Sequence, residues 1–222
     1  MKIYQVEISN YCNLKCTYCP HSIQTRKKGF MTLETFNKVL MLAKKCQQKM
    51  IYLHNFGEPL LHPKLELFIQ TAKEKEIECS FYTNGVMLDS KRIDSLYTAG
   101  LRRISISNHI RGASEKALEE IRKSNSNLCI EEIYEPTFIH NWCGQIRYDG
   151  CTHICVADSS PCIFEKQNAF VVLWNGDIAS CCLDCNGISS SLTIDDLLQE
   201  DYIFKKCKLC LNCDLMRGEE QL

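Results

Sequence analysis

Strand-like and helix-like segments alternate along the first 135 residues, and this alternation limits the fold more than any other property of the chain. Strand patterns occupy residues 2–9, 50–54, 78–82, 103–107 and 128–133. Apolar residues recur at helical spacing in residues 32–45, 63–75, 90–98 and 114–123. Such alternation predicts parallel strands that are joined by right-handed helical crossovers.

The number of strands decides between the α/β architectures. Five strands are too few for a closed eight-stranded barrel, which takes about 250 residues. We therefore predict an α/β fold with a partial, open, TIM-like βα barrel of about five to six parallel strands. An open doubly wound sheet is the alternative, and in both folds ligands bind at the carboxyl ends of the strands.

The pattern changes after Pro136. Helical periodicity weakens there, and ten of the 16 cysteines lie between Cys143 and Cys213. The pair Asn175-Gly176 stands between two apolar runs and predicts a β-hairpin. A short helix is predicted over residues 193–199. We therefore predict two domains, the α/β domain over residues 1–136 and a small cysteine-rich domain over residues 137–222.

Composition excludes several classes of function. The 222 residues contain 26 Lys and Arg against 27 Asp and Glu, so the chain lacks the basic surface of nonspecific nucleic-acid binding. No apolar run reaches about 18 residues, and the first residues do not resemble a signal peptide. We expect a cytoplasmic protein with no nucleic-acid or membrane partner, and the sequence does not indicate an oligomeric state. In a reducing compartment, thiolates are metal ligands more often than disulfides.

Three cysteines form a C-x3-C-x2-C motif in the loop after the first predicted strand. Thiolates of Cys12, Cys16 and Cys19 at this spacing can hold three irons of a [4Fe–4S] cluster and leave the fourth iron open. An open iron can bind a further ligand, as the open position of a catalytic zinc does. A zinc site that His21 completes and a local disulfide are the alternatives.

This motif, in this position, resembles the radical S-adenosylmethionine (SAM) superfamily. The aromatic Tyr18 before the third cysteine also matches that family. Further matches follow the later strands in order, with Phe56 in place of the first glycine of the family's Gly-Gly-Glu-Pro segment: Phe56-Gly57-Glu58-Pro59, Thr83-Asn84-Gly85 and Ser105-Ile106-Ser107-Asn108. The resemblance covers about residues 1–135.

The resemblance implies a reaction. In that family a [4Fe–4S] cluster, here on Cys12, Cys16 and Cys19, transfers one electron to SAM, and the resulting 5′-deoxyadenosyl radical removes a hydrogen atom from the substrate. It further implies a cofactor-binding set of Tyr18, Gly57, Glu58, Pro59, Asn84, Ser105, Ser107 and Asn108. In this set the carboxylate of Glu58 accepts from the SAM amino group, and Gly57 permits close backbone approach. The alternatives are an ordinary turn at Glu58 and an ordinary alternating strand at Ser105 and Ser107.

The C-terminal cysteines resemble the SPASM/Twitch domains of some radical SAM enzymes. The matching features are Cys162, a hairpin glycine at Gly176, Cys181 and a late run of cysteines. The resemblance implies one auxiliary [4Fe–4S] cluster on Cys162, Cys181, Cys210 and Cys213. Surplus cysteines leave a second auxiliary cluster or zinc as alternatives: Cys143, Cys151, Cys155, Cys182, Cys185 and Cys207.

We therefore expect a radical SAM oxidoreductase. Its substrate would be a small polar natural-product intermediate, an alcohol of aminocyclitol type. The substrate radical would then lose one electron to the auxiliary cluster. A flavodoxin- or ferredoxin-type protein would supply electrons. Candidate catalytic residues are the thiols Cys143, Cys182 and Cys185 as hydrogen donors, and Arg111, His109 or Arg147 as the base.

Two other functions remain open at this stage. The first is a maturase of ribosomal peptides that forms epimers, thioethers or carbon–carbon crosslinks on a peptide substrate. The second is a nonenzymatic zinc or nucleic-acid module. The neutral charge and the ordered motifs at the strand ends disfavour this second function.

Overall fold

The computed structural model describes residues 1–110, 112–134, 142–146 and 162–213. The strands within these residues are β1 (Lys2–Val6), β2 (Met50–Tyr52), β3 (Glu78–Ser80), β4 (Tyr82–Thr83), β5 (Arg103–Ser107), β6 (Cys129–Tyr134), β7 (Ala169–Val172) and β8 (Ile178–Ala179). The α-helices are α1 (Leu33–Lys45), α2 (Leu65–Glu74), α3 (Ser90–Ala99), α4 (Ala113–Lys123), α5 (Ile163–Gln167) and α6 (Ile194–Gln199). Short 3₁₀ helices occupy Pro20–Ile23, Pro59–Leu61 and Lys208–Asn212.

The helices begin and end where their sequences supply caps. The hydroxyl of Thr32 accepts from the amide of Thr35 at 3.1 Å and begins α1. Asp89 caps α3 in the same way, and α3 ends at Gly100, whose φ of +124° favours glycine. The four helices predicted in the first part of the chain are confirmed with ends within two residues. The short α5 was not predicted.

The strands of the first part pair in parallel, as the alternation predicts. β2 pairs with β3, and β5 pairs with β4 on one side and β6 on the other, all in parallel. The predicted third strand is divided at Phe81 into β3 and β4. Phe81 is fully buried against the helices.

The hairpin of the C-terminal part joins the first strand. β7 and β8 pair antiparallel across the turn at Asn175 and Gly176, as predicted. β7 also pairs in parallel with β1, and Phe170 and Val172 lie in the same apolar core as Ile3. The predicted domain boundary at residue 136 lies outside the described residues.

The strands have one apolar and one polar side because successive side chains point to opposite faces. Ile51, Ile104 and Ile106 belong to the core that packs on the helices. The opposite side of these strands carries polar side chains that alternate with the core residues. Together with the polar side chains that contact them, they form what we call the polar face: Gln5, Tyr52, His54, Tyr82, Ser105 and Glu132. No helix within the described ranges combines the length and apolar character that a bilayer crossing requires.

Candidate functional site

The three N-terminal cysteines lie together on the loop that follows β1. Cys12, Cys16 and Cys19 are half-buried and free, so the local disulfide considered from the sequence is not formed. The loop turns tightly, with the amide of Cys19 donating to the carbonyl of Cys16 at 3.1 Å. The amide of Leu14 donates to the Sγ of Cys12 at 3.4 Å.

The electrostatics of this loop suit a metal centre. Burial raises the pKa of the Cys12 thiol and raises that of Cys19 to about 11, although nearby Lys28 opposes both shifts. These thiols are therefore protonated at neutral pH unless a positive centre compensates their charge. A cluster that binds thiolates supplies that compensation and releases the protons, so the donor set fits an iron–sulfur cluster.

The zinc alternative finds little support in the loop. The Nε2 atom of His21 lies 2.9 Å from the carbonyl oxygen of Asn10 and 2.8 Å from the Nζ atom of Lys28. Within the described residues, no three His, Cys, Asp or Glu side chains converge on a point that one metal ion could occupy. A cluster places one thiolate on each iron, so its ligands do not need such a point.

Glu58 ties two strand ends together. Its side chain is only 2% exposed. Oε1 accepts from the Leu60 amide at 3.0 Å and the Thr83 hydroxyl at 2.7 Å, and Oε2 accepts from the Asn84 amide at 2.9 Å. Burial raises the pKa of Glu58, and these hydrogen bonds oppose the shift. A carboxylate offers about four acceptor sites, so one is left for a ligand.

Gly57 and Pro59 fit the loop for structural reasons. The φ of Gly57 is +124°, and a Cβ atom there would lie 2.4 Å from the carbonyl oxygen of Ser9. The close approach is therefore to the chain's own backbone just before the cysteine motif, whereas the sequence suggested a ligand. Pro59 is buried and begins the 3₁₀ helix Pro59–Leu61.

Asn84 connects the hydrogen bonds of Glu58 to the cysteine loop. Its side chain is 5% exposed. The Nδ2 atom donates to the Oδ1 atom of Asn13 at 2.7 Å, while the backbone amide is held by Glu58. Asn13 lies between the first two cysteines of the motif. The strand-end residues that the resemblance indicated are thus joined to the candidate cluster loop.

Tyr18 and His109 form a second polar contact at the strand ends. The Tyr18 hydroxyl lies 2.7 Å from Nδ1 of His109, and burial lowers the pKa of His109, so its ring is neutral at pH 7. Trp142 Nε1 donates to the Tyr18 carbonyl at 2.7 Å. Cys143, next along the chain from Trp142, is buried. The candidate bases Arg111 and Arg147 lie outside the described residues.

The predicted cofactor-binding residues of β5 lie at two heights along the strand. Ser105 is buried on the polar face, where its side chain hydrogen-bonds Tyr82. Ser107 is buried at the end of β5, and its carbonyl accepts from the His109 amide at 2.8 Å. Asn108 follows and is half-buried. Only Ser107 and Asn108 therefore lie at the strand end with Tyr18 and Glu58.

Six described cysteines of the C-terminal part gather in one region, which we call the C-terminal thiol group: Cys162, Cys181, Cys182, Cys207, Cys210 and Cys213. The Sγ atoms of Cys207 and Cys210 lie 4.0 Å apart. Burial raises the pKa of Cys210 to about 11 and that of Cys182 to about 12. The four ligands implied by the resemblance belong to this group, together with Cys182 and Cys207. Cys151 and Cys155 lie outside the described residues.

Cys185 lies apart from that group, beside the N-terminal loop. It is fully buried, its Sγ donates to Gln145 Oε1 at 3.0 Å, and its thiol interacts electrostatically with Cys19. The Nε atom of Arg26 donates to its carbonyl at 2.8 Å. Cys185 therefore lies where the two cysteine-bearing regions meet.

Arg26 and Thr25 connect those two regions, and an ion pair to Glu7 holds Arg26 in place. Arg26 donates through both terminal nitrogens to the carboxylate of Glu7, at 2.8 Å each, and Glu7 is fully buried. Thr25 donates through its amide to Asn186 at 2.8 Å. We call Glu7, Arg26, Thr25 and Asn186 the clasp. The clasp was not predicted from the sequence, because Glu7 and Arg26 are 19 residues apart, Thr25 and Asn186 are 161 residues apart, and none of the four belongs to a motif.

Residues 6–133 match the family model described as the Radical SAM superfamily, which covers more than half of the chain. The chain belongs to the radical SAM superfamily. Membership implies a [4Fe–4S] cluster and SAM as cofactors, in agreement with the free thiols at Cys12, Cys16 and Cys19. The resemblance stated from the sequence is confirmed.

Two curated relatives match about half of this radical SAM chain. An S-adenosyl-L-methionine-dependent 2-deoxy-scyllo-inosamine dehydrogenase of Niallia circulans is 34% identical over 116 residues, which is 50% of this chain and 46% of that protein. A GTP 3′,8-cyclase of Chlorobaculum tepidum is 33% identical over 107 residues, 46% of this chain and 31% of that protein. The chain thus spans less than half the length of these relatives.

A solved structure is similar over the whole chain. The crystal structure of BtrN in complex with AdoMet and 2-DOIA superposes with a TM-score of 0.72 at 22% identity, covering 100% of this chain and 97% of that chain. At this identity the likeness establishes a shared fold. It includes the cysteine-rich C-terminal part, which the family model does not reach.

Proposed function

We propose that this radical SAM protein oxidises an alcohol group of a small polar substrate of aminocyclitol type. The observation that carries the proposal is the position of the C-terminal thiol group. Cys182, a member of that group, interacts electrostatically with Tyr4 of β1, and Tyr4 with Tyr52 of the polar face. An electron acceptor held there would lie beside a substrate on the polar face, which favours net oxidation.

The cofactor residues follow from the site. Cys12, Cys16 and Cys19 would hold the SAM-binding cluster, and Cys162, Cys181, Cys210 and Cys213 would hold one auxiliary cluster, with Cys182 and Cys207 beside it. The first cluster would supply the electron that cleaves SAM, and the second would accept the electron that the substrate loses. One auxiliary cluster is the assignment we prefer, because Cys207 lies against Cys210, within the same thiol group as the four implied ligands.

The polar residues of the strand ends bind and orient. The remaining acceptor site of Glu58 would receive the amino group of SAM, while Asn84 holds the cysteine loop at a fixed position against it. Gly57, Pro59, Tyr18, Ser107 and Asn108 would shape the same pocket. Ser105 lies lower, on the polar face, and would contact the substrate.

A proton must leave the substrate hydroxyl during oxidation. We assign its acceptance to His109, whose neutral ring is held at Nδ1 by the Tyr18 hydroxyl. In the tautomer whose Nδ1–H donates to the Tyr18 oxygen, the Nε2 atom carries no proton and can accept one. A flavodoxin- or ferredoxin-type protein would reduce the enzyme, and residues 1–136 would form the open partial barrel on which residues 137–222 add the auxiliary-cluster domain.

Iron content and SAM cleavage test the first half of the proposal. Anaerobically reconstituted protein should contain about eight irons per chain and release 5′-deoxyadenosine when dithionite and SAM are added. Cys16→Ala should lose about half of the iron and all of the cleavage. Cys129→Ser, at an exposed cysteine away from both groups, is the matched control and should retain both. Cleavage by Cys16→Ala at the wild-type rate would refute the cluster assignment.

Product analysis tests the second half. With 2-deoxy-scyllo-inosamine or a related aminocyclitol, the product should lack two hydrogen atoms. Cys162→Ala should still cleave SAM and yet form little of this product, because the second electron has no acceptor. A product of unchanged mass in ordinary water that incorporates deuterium in heavy water would instead identify an epimerase, as expected for a peptide maturase.

A further inference from the structure

The polar face carries a set of side chains that the cofactor assignment does not use. β-Strand alternation brings Tyr52, Tyr82 and Ser105 to the same side of neighbouring strands. Ser105 pairs with Tyr82 in the β4–β5 register, and Glu132 pairs with Ser105 in the β5–β6 register. Three adjacent strands thus present phenol, hydroxyl and carboxylate groups below the strand ends that would bind SAM.

Hydrogen bonds determine the state of the histidine in this set. The Nδ1 atom of His54 accepts from the Tyr82 amide at 3.3 Å, and its Nε2 atom lies 2.9 Å from the amide nitrogen of Gln5. A neutral ring with an accepting Nδ1 carries its proton on Nε2, so the Gln5 amide is better assigned with its oxygen towards the ring. Burial lowers the pKa of His54 to about 3, so His54 contributes no positive charge to this face at neutral pH.

Tyr82 donates to the carboxylate of Glu132. The Tyr82 hydroxyl contacts Oε2 of Glu132, and burial together with this carboxylate raises the pKa of Tyr82 to about 12. The phenol is therefore a proton donor at neutral pH and holds the carboxylate in one orientation. Its second oxygen, Oε1, makes no hydrogen bond with any residue that the structure describes.

Glu132 differs from the neighbouring carboxylate in its charge balance. Glu131 pairs with Arg103 at 3.3 Å and accepts from Ser80 at 3.1 Å. No Lys or Arg among residues 1–110, 112–134, 142–146 and 162–213 forms an ion pair with Glu132. One carboxylate of the adjacent pair is thus neutralised by Arg103, and the other is exposed and has no basic partner among the described residues.

We infer that Glu132, oriented by Tyr82, binds the ammonium group of a polyhydroxylated amine, and that Tyr52 and Ser105 contact its hydroxyl groups. The inference rests on the proposed function, because it assumes that the substrate occupies the polar face below SAM. Since no described Lys or Arg pairs with Glu132, an ammonium group would compensate its charge, and a charge-assisted hydrogen bond to a carboxylate is among the stronger polar contacts. Glu132 is then the residue that distinguishes an amino sugar or aminocyclitol from a neutral polyol.

Calorimetric titration of the anaerobic, SAM-bound holoenzyme tests this without any turnover. The probes are 2-deoxy-scyllo-inosamine and the amine-free polyol scyllo-inositol. We expect the wild type to prefer the amine and Glu132→Gln to weaken amine binding by roughly tenfold or more, the usual value of a charged hydrogen bond. Glu131→Gln is the matched control, since its carboxylate is already paired, and its amine affinity should stay within about threefold of wild type.

Each result decides the question. Tyr82→Phe should weaken amine binding by a smaller factor than Glu132→Gln, because it frees the carboxylate without removing it. A wild type that binds the polyol as tightly as the amine, or that binds neither, would overturn the inference. An equal loss of amine binding in the Glu131 and Glu132 variants would do the same. Failure of SAM cleavage by the wild type would refute the proposed function alone, because the titration requires no reduction.

Discussion

At the scale of single residues, backbone approach accounts for the glycine of the strand-end motif. Gly57→Ala would bring a Cβ atom to 2.4 Å from the Ser9 carbonyl in a backbone conformation that favours glycine. We expect the free energy of unfolding to fall by about 3 kcal/mol or more, because the backbone near Ser9 must move and residue 57 must also hold a strained φ. Urea denaturation monitored by circular dichroism measures this loss.

Gly112→Ala is the control for Gly57. Its φ is +83°, and apart from its chain neighbours no atom of the described residues lies within 4 Å of the added Cβ, so the substitution carries the conformational cost alone. That cost is about 1 kcal/mol. Equal losses for the two variants would show that the contact with Ser9 is unimportant.

The His54 ring predicts a pH dependence of stability. Its folded pKa of about 3 lies below its ordinary value of 6.5, so the unfolded chain takes up a proton that the native ring refuses. The free energy of unfolding should therefore fall as the pH drops below 6.5, by up to about 1.4 kcal/mol per pH unit from this group. Urea titrations of wild type and His54→Asn between about pH 5 and 7 compare the slopes, and the variant should have the shallower one. Identical slopes would contradict the prediction.

At the scale of elements, β7 packs in the same apolar core as the βα strands and should unfold together with them. Phe170 is fully buried, lies 4.9 Å from the ring of Tyr202, and packs in the core that also contains Phe36. Phe170→Ala should therefore lower the free energy of unfolding by about 3–5 kcal/mol, as much as Phe36→Ala. Both variants should still unfold in a single transition, as monitored by circular dichroism. A separate, early transition in Phe170→Ala would show that the hairpin unfolds independently of the βα strands.

The elements differ in how far the sequence indicates them. The helix α1 has a cap at Thr32 and an apolar stripe, so its existence and bounds follow from local pattern. The parallel pairing of β7 with β1 has no such local signal, because a hairpin strand can pair with any exposed edge. Ser105 and Ser107 alternate with apolar residues in β5, but from the sequence they were assigned either to cofactor binding or to an ordinary alternating strand, and the polar side chains of β2 were not considered.

At the scale of the whole molecule, the clasp joins the N-terminal cysteine loop to the loop that carries Cys185. Glu7 is fully buried, so removing its partner leaves a carboxylate without compensation. Arg26→Gln should lower the free energy of unfolding by about 3–5 kcal/mol. The double variant Glu7→Gln, Arg26→Gln should recover part of this loss, because no charge is then buried alone. A double variant that is as unstable as the two single losses added together would contradict this explanation.

The amino-acid sequence by itself determined the local properties of this protein. The C-x3-C-x2-C spacing, the helix caps and the order of motifs after successive strands need only neighbouring residues, and they sufficed to indicate the radical SAM superfamily. Only the tertiary structure decided which distant groups meet: Glu58 with Thr83, Arg26 with Glu7, and Tyr82 with Glu132. The physical reason is that local pattern reports backbone conformation and burial, whereas the partner of a polar side chain depends on strand register and on how the chain closes on itself.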